Sequence, residues 1–355
     1  MRTLALALVL AVGGAAPGKV QPASSLIHPR AAHTATLLAN GNVLVAGGCT
    51  ADSCELGVDG RTTELYEAAR QRFVSGPPLL RPRVGHAAVR LLDGRVLVAG
   101  GWDLGGLTRT AELFDPRKST FVATGSLRAA RGGFSATRLR DGRVLFAGGA
   151  QDGRTMASAE LYDPRTGSFS STGSMRQARS AHTAVRLLDG RVLVIGGSIA
   201  GRVLAGAELY DREAAGGFQP GAWRWRGTST VLSCSATGGV LVVGGSDARD
   251  WRGRLASAEV WSPDARRFSQ TLSMASSRFK LSNTVVRLPS GKVLVAGGAP
   301  QVEVYEPTRR RFSVAGRLPS ELFFATATVL RGGRVLLVGG YDGNIDVSRR
   351  AWLLG

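Results

Sequence analysis

The sequence predicts an all-β protein made of repeats, and three recurring features lead to that prediction. The first is a run such as RSAHTAVRLLDGRVLVIGG, from Arg179 to Gly197, which returns in similar form from Arg83 and from Arg30. The second is an Asn-Gly or Asp-Gly dipeptide in the middle of that run. The third is a Gly-Gly pair at its end, which occurs seven times at steps of roughly fifty residues, a period typical of repeat folds. The pairs begin at Gly47, Gly100, Gly148, Gly196, Gly244, Gly297 and Gly339.

Each repeat has the pattern of four short antiparallel strands. In the repeat from Arg179 the first strand is HTAVRLL and the second is RVLVIGG, and Asp189-Gly190 between them supplies the positive φ that a two-residue hairpin turn needs. The segment AELYD, from Ala207, is a third strand, and an aromatic residue after the next turn marks a fourth. Small four-stranded sheets repeated at this period predict a seven-bladed β-propeller. The aromatic residues are Phe73, Phe121, Phe169, Phe218, Phe268 and Phe312.

The seventh repeat ends after its third strand, whereas an extra segment precedes the first repeat. This segment, KVQPASSLIHPR from Lys19 to Arg30, aligns with RFVSGPPLLRPR from Arg72 to Arg83, which is a fourth strand and the link to the next blade. We therefore expect an N-terminal strand to complete blade seven, because that pairing closes the ring and covers exposed strand edges. The alternative is that the segment is only a loose linker.

The recurring segments VLVAGG and AELYDP, in register with an Arg-x-x-His start, resemble the repeats of the kelch family over about residues 19–355. The resemblance implies a single seven-bladed kelch-type propeller over residues 17–355, distantly similar to the propeller of galactose oxidase. Kelch propellers commonly act as binding scaffolds, and some are enzymes. The resemblance therefore predicts the fold more closely than the function.

The first residues, MRTLALALVLAVGGAAPG, have the pattern of a secretory signal peptide, with a basic residue, an apolar stretch and then small residues. We expect cleavage near Gly14 to Ala16, assign residues 1–16 to the signal peptide, and predict export to the periplasm, the cell surface or the medium. Cys49 and Cys54 lie in one short loop, and we expect them to form a disulfide in an oxidising compartment. No later apolar segment is long enough to span a membrane.

The chain carries a formal charge of +19, which comes mostly from arginine. One interpretation is a polyanionic partner, such as an acidic polysaccharide, since clustered cations attract polyanions. The other is an arginine-rich composition spread over a solvated surface. The arginines are distributed through the repeats, without a basic tail or a nucleic-acid-binding motif. We expect a monomer that binds a protein or a glycan, anionic if the charge has a role, and that holds no cofactor or metal ion.

Repetition separates structural residues from candidate site residues, because a residue needed in most blades serves packing. One glutamate recurs in the third strand, and we expect it to pair with the arginine before a first strand. His33, His86 and His182 share one position and lack metal-ligand spacing, so we also predict a structural role for them. The repeated glutamates are Glu64, Glu112, Glu160, Glu208, Glu259 and Glu303.

The candidate binding surface is the face of the ring that carries the links between blades and the loops after the Gly-Gly pairs. These loops vary in length and contain tryptophan and arginine, which are common binding anchors. We predict ligand contacts by Trp102, Arg249, Trp251 and Tyr341. Blade five departs most from the repeat, and divergence without a function is the alternative explanation. The kelch resemblance adds arginines near the mouth of the ring, where some relatives contact acidic partners. These are Arg30, Arg83, Arg131 and Arg179.

The function predicted is a secreted, non-catalytic scaffold that binds a protein or a glycan through this loop face. The alternative is a carbohydrate-active enzyme of the kelch type, either a sugar mutarotase or an oxidase similar to galactose oxidase. Such an oxidase requires tyrosines, a cysteine cross-linked to one of them, and histidine ligands, whereas this chain has four histidines in total. The sequence contains no catalytic motif that we recognise, so we predict no catalytic residue and favour a binding protein over an enzyme.

Overall fold

The computed structural model describes residues 20–51, 58–213, 217–224, 231–234, 238–247, 250–281 and 283–355. Within these residues, seven four-stranded antiparallel sheets follow one another along the chain. The first strand of each sheet contacts the first strands of its two neighbours, and that of the last sheet contacts that of the first. The first strands therefore surround a central axis, and the fourth strands lie outermost. The predicted seven-bladed propeller is confirmed.

Each blade uses four strands in chain order, except that blade seven takes its outermost strand from the N-terminus. Blade one comprises Thr34–Leu37, Val43–Ala46, Thr63–Glu67 and Arg72–Ser75, and blade two Ala87–Arg90, Val96–Ala99, Ala111–Asp115 and Thr120–Ala123. Blade three comprises Ser135–Arg138, Val144–Ala147, Ala159–Asp163 and Ser168–Thr172, and blade four Thr183–Arg186, Val192–Ile195, Gly206–Asp211 and Gly217–Arg224. Blade five comprises Val231–Cys234, Val240–Val243, Ala258–Ser262 and Arg267–Gln270, and blade six Val285–Arg287, Val293–Val295, Gln301–Glu306 and Arg311–Arg317. Blade seven comprises Thr326–Val329, Val335–Val338, Ala351–Leu354 and Gln21–Pro22.

Short elements occupy the loops after the Gly-Gly pairs. In blades two to four these loops contain two-residue ribbons, and in blades one and five they contain one turn of 3-10 helix. The ribbons are Trp102–Asp103 with Gly106–Leu107, Ala150–Gln151 with Arg154–Thr155, and Ser198–Ile199 with Arg202–Val203. The 3-10 helices are Val58–Arg61 and Asp250–Gly253.

The hairpin between the first two strands of a blade is longer by one residue than the sequence predicts. In blade four, Leu187 N donates to Arg191 O, and Gly190 N donates to Leu187 O. Of the loop residues only Gly190 has positive φ, at 98°. This is a three-residue loop with a type I turn and a left-handed glycine, so the predicted two-residue turn is wrong. Asp189 Oδ1 accepts a hydrogen bond from Arg191 N at 3.0 Å, which explains an aspartate before the glycine.

The Gly-Gly pairs need glycine at both positions. Gly47 and Gly48 have φ of 60° and 97°. A Cβ on Gly47 would lie 2.5 Å from Arg83 O, and a Cβ on Gly48 would lie 2.5 Å from Ala31 O. Gly48 N also donates to Arg83 O at 2.8 Å, so the link to the next blade is hydrogen-bonded against the pair. The backbone of a link approaches too closely for any side chain.

The hydrophobic core lies between neighbouring blades. Leu44 and Ala46 of blade one pack in one cluster with Val96 of blade two. Val43, from the same strand, packs in another cluster with Leu336 of blade seven. Both faces of the second strand are thus covered, which explains why these strands are uniformly apolar and do not alternate with polar residues.

The N-terminal strand completes blade seven, as predicted. Gln21 pairs with Leu353 in an antiparallel register, and Ala23 N donates to Ala351 O at 2.9 Å. Leu26, after the strand, is 1% exposed and packs in the cluster between blades seven and one. The segment is therefore part of the ring, and the alternative of a loose linker is wrong for the described residues.

Candidate functional site

The two faces of the ring carry different segments of the blades. The link before a first strand forms a backbone bridge to the loop after the Gly-Gly pair of the same blade, as between Val84 and Trp102 and between Phe323 and Tyr341. We call this side the link face. We call the opposite side, which carries the hairpins within the blades, the hairpin face. The prediction that links and loops share one face is confirmed.

A buried arginine–glutamate pair, here called a clamp, joins the link to the third strand in five blades of the described chain. In blade three, Arg131 Nη2 lies 2.6 Å from Glu160 Oε1, and the two side chains are 0% and 3% exposed. Arg131 Nη1 also donates to Gly148 O and Ser158 O, and Arg128 N donates to Glu160. Burial lowers the pKa of Arg131, whereas the Glu160 carboxylate raises it. The clamps are Arg30–Glu64, Arg83–Glu112, Arg131–Glu160, Arg179–Glu208 and Arg278–Glu303.

The clamps correct one expectation about ligand binding. The kelch resemblance places Arg30, Arg83, Arg131 and Arg179 at an open mouth, but each of them is at most 1% exposed. Each guanidinium is also ion-paired. A ligand would have to separate a buried ion pair to reach them, which is energetically costly. We therefore assign these four arginines to the structure of the blades.

The fifth clamp was missed by sequence reasoning. Arg278 precedes the Gly-Gly pair of its blade by 19 residues, whereas the other clamp arginines do so by 17, so Arg278 falls out of the repeat register. The signal that could have revealed it was Glu303, which occupies the usual glutamate position. Blade seven has no such pair among its described residues. There, Leu322 and Trp352 belong to one apolar cluster. Trp352 occupies the third-strand position that glutamate holds in the other blades, because it pairs with the equivalent residue of the second strand.

The repeated histidines hold neighbouring first strands together. His86 Nε2 lies 2.9 Å from Thr34 Oγ1 of blade one, and His182 Nε2 lies 2.9 Å from Ser135 Oγ of blade three. His33 makes the equivalent contact with blade seven. Burial, followed by the charge of a nearby clamp arginine, lowers the pKa of His86 and of His182 to about 3. The histidines are therefore neutral near pH 7, and their predicted structural role is confirmed.

The residues predicted to contact a ligand fall into two groups. Trp102 is 40% exposed on the link face, where its ring covers the backbone of the next link so closely that a Cβ on Gly132 would overlap it. Tyr341 is partly buried on the same face in blade seven. Arg249 and the side chain of Trp251 lie outside the described residues. Ligand contact by any of these residues stays a prediction.

The predictions about export concern residues that the structure describes only in part. Cys49 is disulfide-bonded, in agreement with the expected bridge, but its predicted partner Cys54 lies outside the described residues. The predicted signal peptide, residues 1–16, also lies outside them. Across the residues that are described, no helix combines the length and the apolar character needed to cross a membrane.

An aromatic–cation cluster occupies the link face where blades five, six and seven meet. The ring centres of Phe279 and Phe323 are 5.3 Å apart, and the ring planes are inclined by 63° in an edge-to-face contact. Arg254 Cζ lies 5.1 Å and 5.3 Å from these two ring centres. Lys280 Nζ lies 4.9 Å from Phe279 and 5.4 Å from Phe324, within the range of cation–π attraction. The cluster consists of Arg254, Phe279, Lys280, Phe323, Phe324 and Tyr341.

The backbone of this cluster is strained at two residues. Phe324 and Lys280 both have φ of 54°, a conformation that large side chains rarely adopt. The position of Phe324, one residue before the repeated histidine position, is taken by Ala32 and Ala181 in blades one and four. The fold thus needs only a small residue here. Strain of this kind often marks functional sites. Phe324 is partly exposed, and its ring centre lies 6.3 Å from that of Tyr341.

The two cations of the cluster differ in their partners. Arg254 Nη1 lies 2.7 Å from Glu321 Oε2, and both side chains are about one quarter exposed, which ties the loop of blade five to the link of blade seven. Lys280 is partly exposed, and among the described residues no carboxylate pairs with it. Its contacts are the two phenylalanine rings, so its ammonium charge is available to an anion.

Comparison with solved structures identifies the fold. The chain shares its fold with a fungal alcohol oxidase. That structure, an oxidase of the AA5 family in complex with copper, matches with a TM-score of 0.74 and 17% sequence identity, over 96% of this chain and 76% of the oxidase. No protein-family model and no curated protein matches the chain. A likeness at this identity shows the fold alone, and membership of the kelch family stays a prediction.

The described residues do not fit the copper ion of that oxidase. A copper site needs several nitrogen, oxygen or sulfur ligands around one point. His86 and His182 are instead buried in different blades, each bonded to a hydroxyl group. Within the described ranges, no group of three or more His, Cys, Asp or Glu residues could hold a metal ion. For the described residues, the likeness to the oxidase is therefore one of fold alone.

Proposed function

We propose that this protein is a binding module that engages an anionic glycan through the aromatic–cation cluster. The observation that carries the proposal is the position of Lys280, whose ammonium group lies against the rings of Phe279 and Phe324 without a carboxylate partner in the described chain. A sugar presents an apolar face that packs on an aromatic ring. A carboxylate or sulfate group on the same sugar pairs with a cation by charge-assisted hydrogen bonds.

Two further features support the proposal. The net charge of +19 attracts polyanions from a distance and increases their rate of encounter. Trp102 lies on the same face as the cluster, so a chain of several sugars has an additional aromatic contact within that face. An aromatic and basic surface on a rigid ring suits recognition of a ligand more than chemical change of it.

The competing functions are a scaffold for a protein partner and a carbohydrate-active enzyme. A protein partner would use the partly exposed aromatic residues of the same face as anchors. The enzyme would need acid–base groups placed around a sugar, and the histidines of blades one, two and four are buried against hydroxyl groups. No observation favours either function over the glycan-binding module.

The test is a calorimetric titration with a heparin decasaccharide, compared with a neutral maltodecaose. We expect Phe324→Ala and Lys280→Gln each to weaken heparin binding about tenfold, the loss typical of an anchor residue. Phe324→Ala suits this test because Ala32 and Ala181 adopt the same backbone conformation in other blades. Matched controls are Leu92→Ala and Lys118→Gln, which change exposed residues of the hairpin face.

Three outcomes would contradict the proposal. Equal affinity for heparin and maltodecaose would remove the role of the anionic group. Equal losses in the cluster variants and in the controls would remove the role of the cluster. Interconversion of sugar anomers by the protein, detected by NMR, would support the enzyme instead.

A further inference from the structure

A second group of cations lies at the opposite end of the central axis. Arg90, Arg138, Arg186 and Arg287 are each the last residue of a first strand, paired with the first residue of the second strand. They therefore lie at the hairpin-face end of the strands around the axis. The other three blades end this strand with Leu37, Cys234 and Val329.

Arg90 and Arg138, in consecutive blades, reach around the axis, and Arg186 occupies the same position in the next blade. Arg90 Nη1 donates to Leu37 O of blade one at 3.1 Å, and Arg138 Nη1 donates to Arg90 O of blade two at 2.6 Å. The two acceptors occupy equivalent positions in adjacent blades, so the side chains follow one another along an arc. Arg90 and Arg138 are partly exposed, and Arg186 is exposed. A solute can therefore approach the arc from the solvent.

Arg90 and Arg138 differ from the clamp arginines in their charge balance. Each clamp arginine has a glutamate within 3 Å. Among the described residues, by contrast, no carboxylate pairs with Arg90 or Arg138. Burial lowers the pKa of Arg138, and the charges of Arg90 and Arg186 lower it further. Three cations held near one another repel, and an anion between them would relieve that repulsion.

We propose that Arg90, Arg138 and Arg186 form a binding site for a phosphate or sulfate group at the hairpin-face end of the axis. A guanidinium group carries five N–H donors in a planar fork that matches the oxygens of such an anion. Arg90 and Arg138 each use one nitrogen to hold a backbone carbonyl, which fixes the side chain and leaves other donors for the ligand. This site does not depend on the glycan proposal, because the two surfaces lie on opposite faces of the ring.

The test measures thermal unfolding with inorganic phosphate or sulfate against sodium chloride at equal ionic strength. At ten times the dissociation constant, we expect either anion to raise the Tm of the wild type by about 2 °C. Arg138→Gln is expected to lose this increase and to weaken phosphate binding at least about tenfold by calorimetry. Without the anion, its Tm should equal or exceed that of the wild type, because a repelling charge is removed. Arg165→Gln, at an 86% exposed side chain on the hairpin face, is the matched control and should keep the increase.

Comparison between variants is essential because phosphate and sulfate also stabilise proteins by exclusion from their surface. Equal increases in Tm for wild type and Arg138→Gln would overturn the proposal. A second variant, Arg90→Gln, should also lose the increase in Tm. If Arg138→Gln does not fold, an increase in Tm that persists in Arg90→Gln overturns the proposal. The increase in Tm with phosphate should be unchanged in Phe324→Ala, which alters only the cluster on the opposite face, so that failure of this site and failure of the glycan site are distinguishable.

Discussion

Replacement of Glu160 by glutamine should measure what one clamp contributes to the ring. The substitution keeps the shape of the side chain and removes the charge that balances Arg131. Glu160 accepts hydrogen bonds from Arg131 Nη2 at 2.6 Å, Arg128 N at 2.7 Å and Ala129 N at 3.3 Å. Removing one partner of a buried ion pair costs about 3–5 kcal/mol of unfolding free energy. With an unfolding entropy of about 2.1 cal/mol/K per residue and 355 residues, this lowers the Tm by about 4–7 °C.

Differential scanning calorimetry of Glu160→Gln and of a matched control measures the effect. The control is Glu67→Gln, the same substitution in a third strand, at a carboxylate that pairs with the 57% exposed Arg72. An exposed pair contributes at most about 1 kcal/mol, so the control should lower the Tm by less than about 2 °C. A double variant, Arg131→Leu with Glu160→Leu, should recover part of the lost Tm because it removes both charges. Blade seven has apolar residues at these two positions. If Glu160→Gln lowers the Tm no more than Glu67→Gln, the clamp does not stabilise the fold as argued.

Two further predictions concern the histidines and the Gly-Gly pairs. Acid should weaken the fold, because His86 and His182 have a folded-state pKa lowered to about 3 and an ordinary pKa of about 6.5 when unfolded. Their stabilising contribution is complete above about pH 6.5 and is lost as the pH falls towards 3. Urea unfolding at pH 7 and at pH 4.5 measures this loss of unfolding free energy. If His86→Phe loses as much unfolding free energy between these two pH values as the wild type, the prediction is wrong. Gly148→Ala should lower the Tm more than Gly153→Ala, because a Cβ on Gly148 would lie 2.5 Å from Arg179 O while one on Gly153 would meet nothing within 4 Å. Both glycines have positive φ, so similar losses would show that strain alone, and not the close approach, requires glycine.

The repeat determined most of the fold at the level of sequence. Strand-forming segments, turn residues and the Gly-Gly pairs act over a few residues, and their recurrence revealed the blades before any contact was known. The N-terminal strand was also predictable, since its segment aligns with a fourth strand and blade seven lacks one. The turn type was wrong because Asp189 was assigned to a two-residue loop, whereas the pairing of Leu187 with Arg191 adds a residue.

The expected pairing of the repeated glutamates with the arginines of the links is confirmed in the clamps, but the burial of individual side chains was decided only by the tertiary structure. Arg131 and Arg138, seven positions apart, prove to be a buried ion-pair member and part of a solvent-accessible arc. Lys280 and Phe324 likewise meet only because consecutive links converge on one face. The physical reason is that backbone geometry is set by neighbouring residues, whereas burial and charge pairing are set by whichever blades the closed ring brings together.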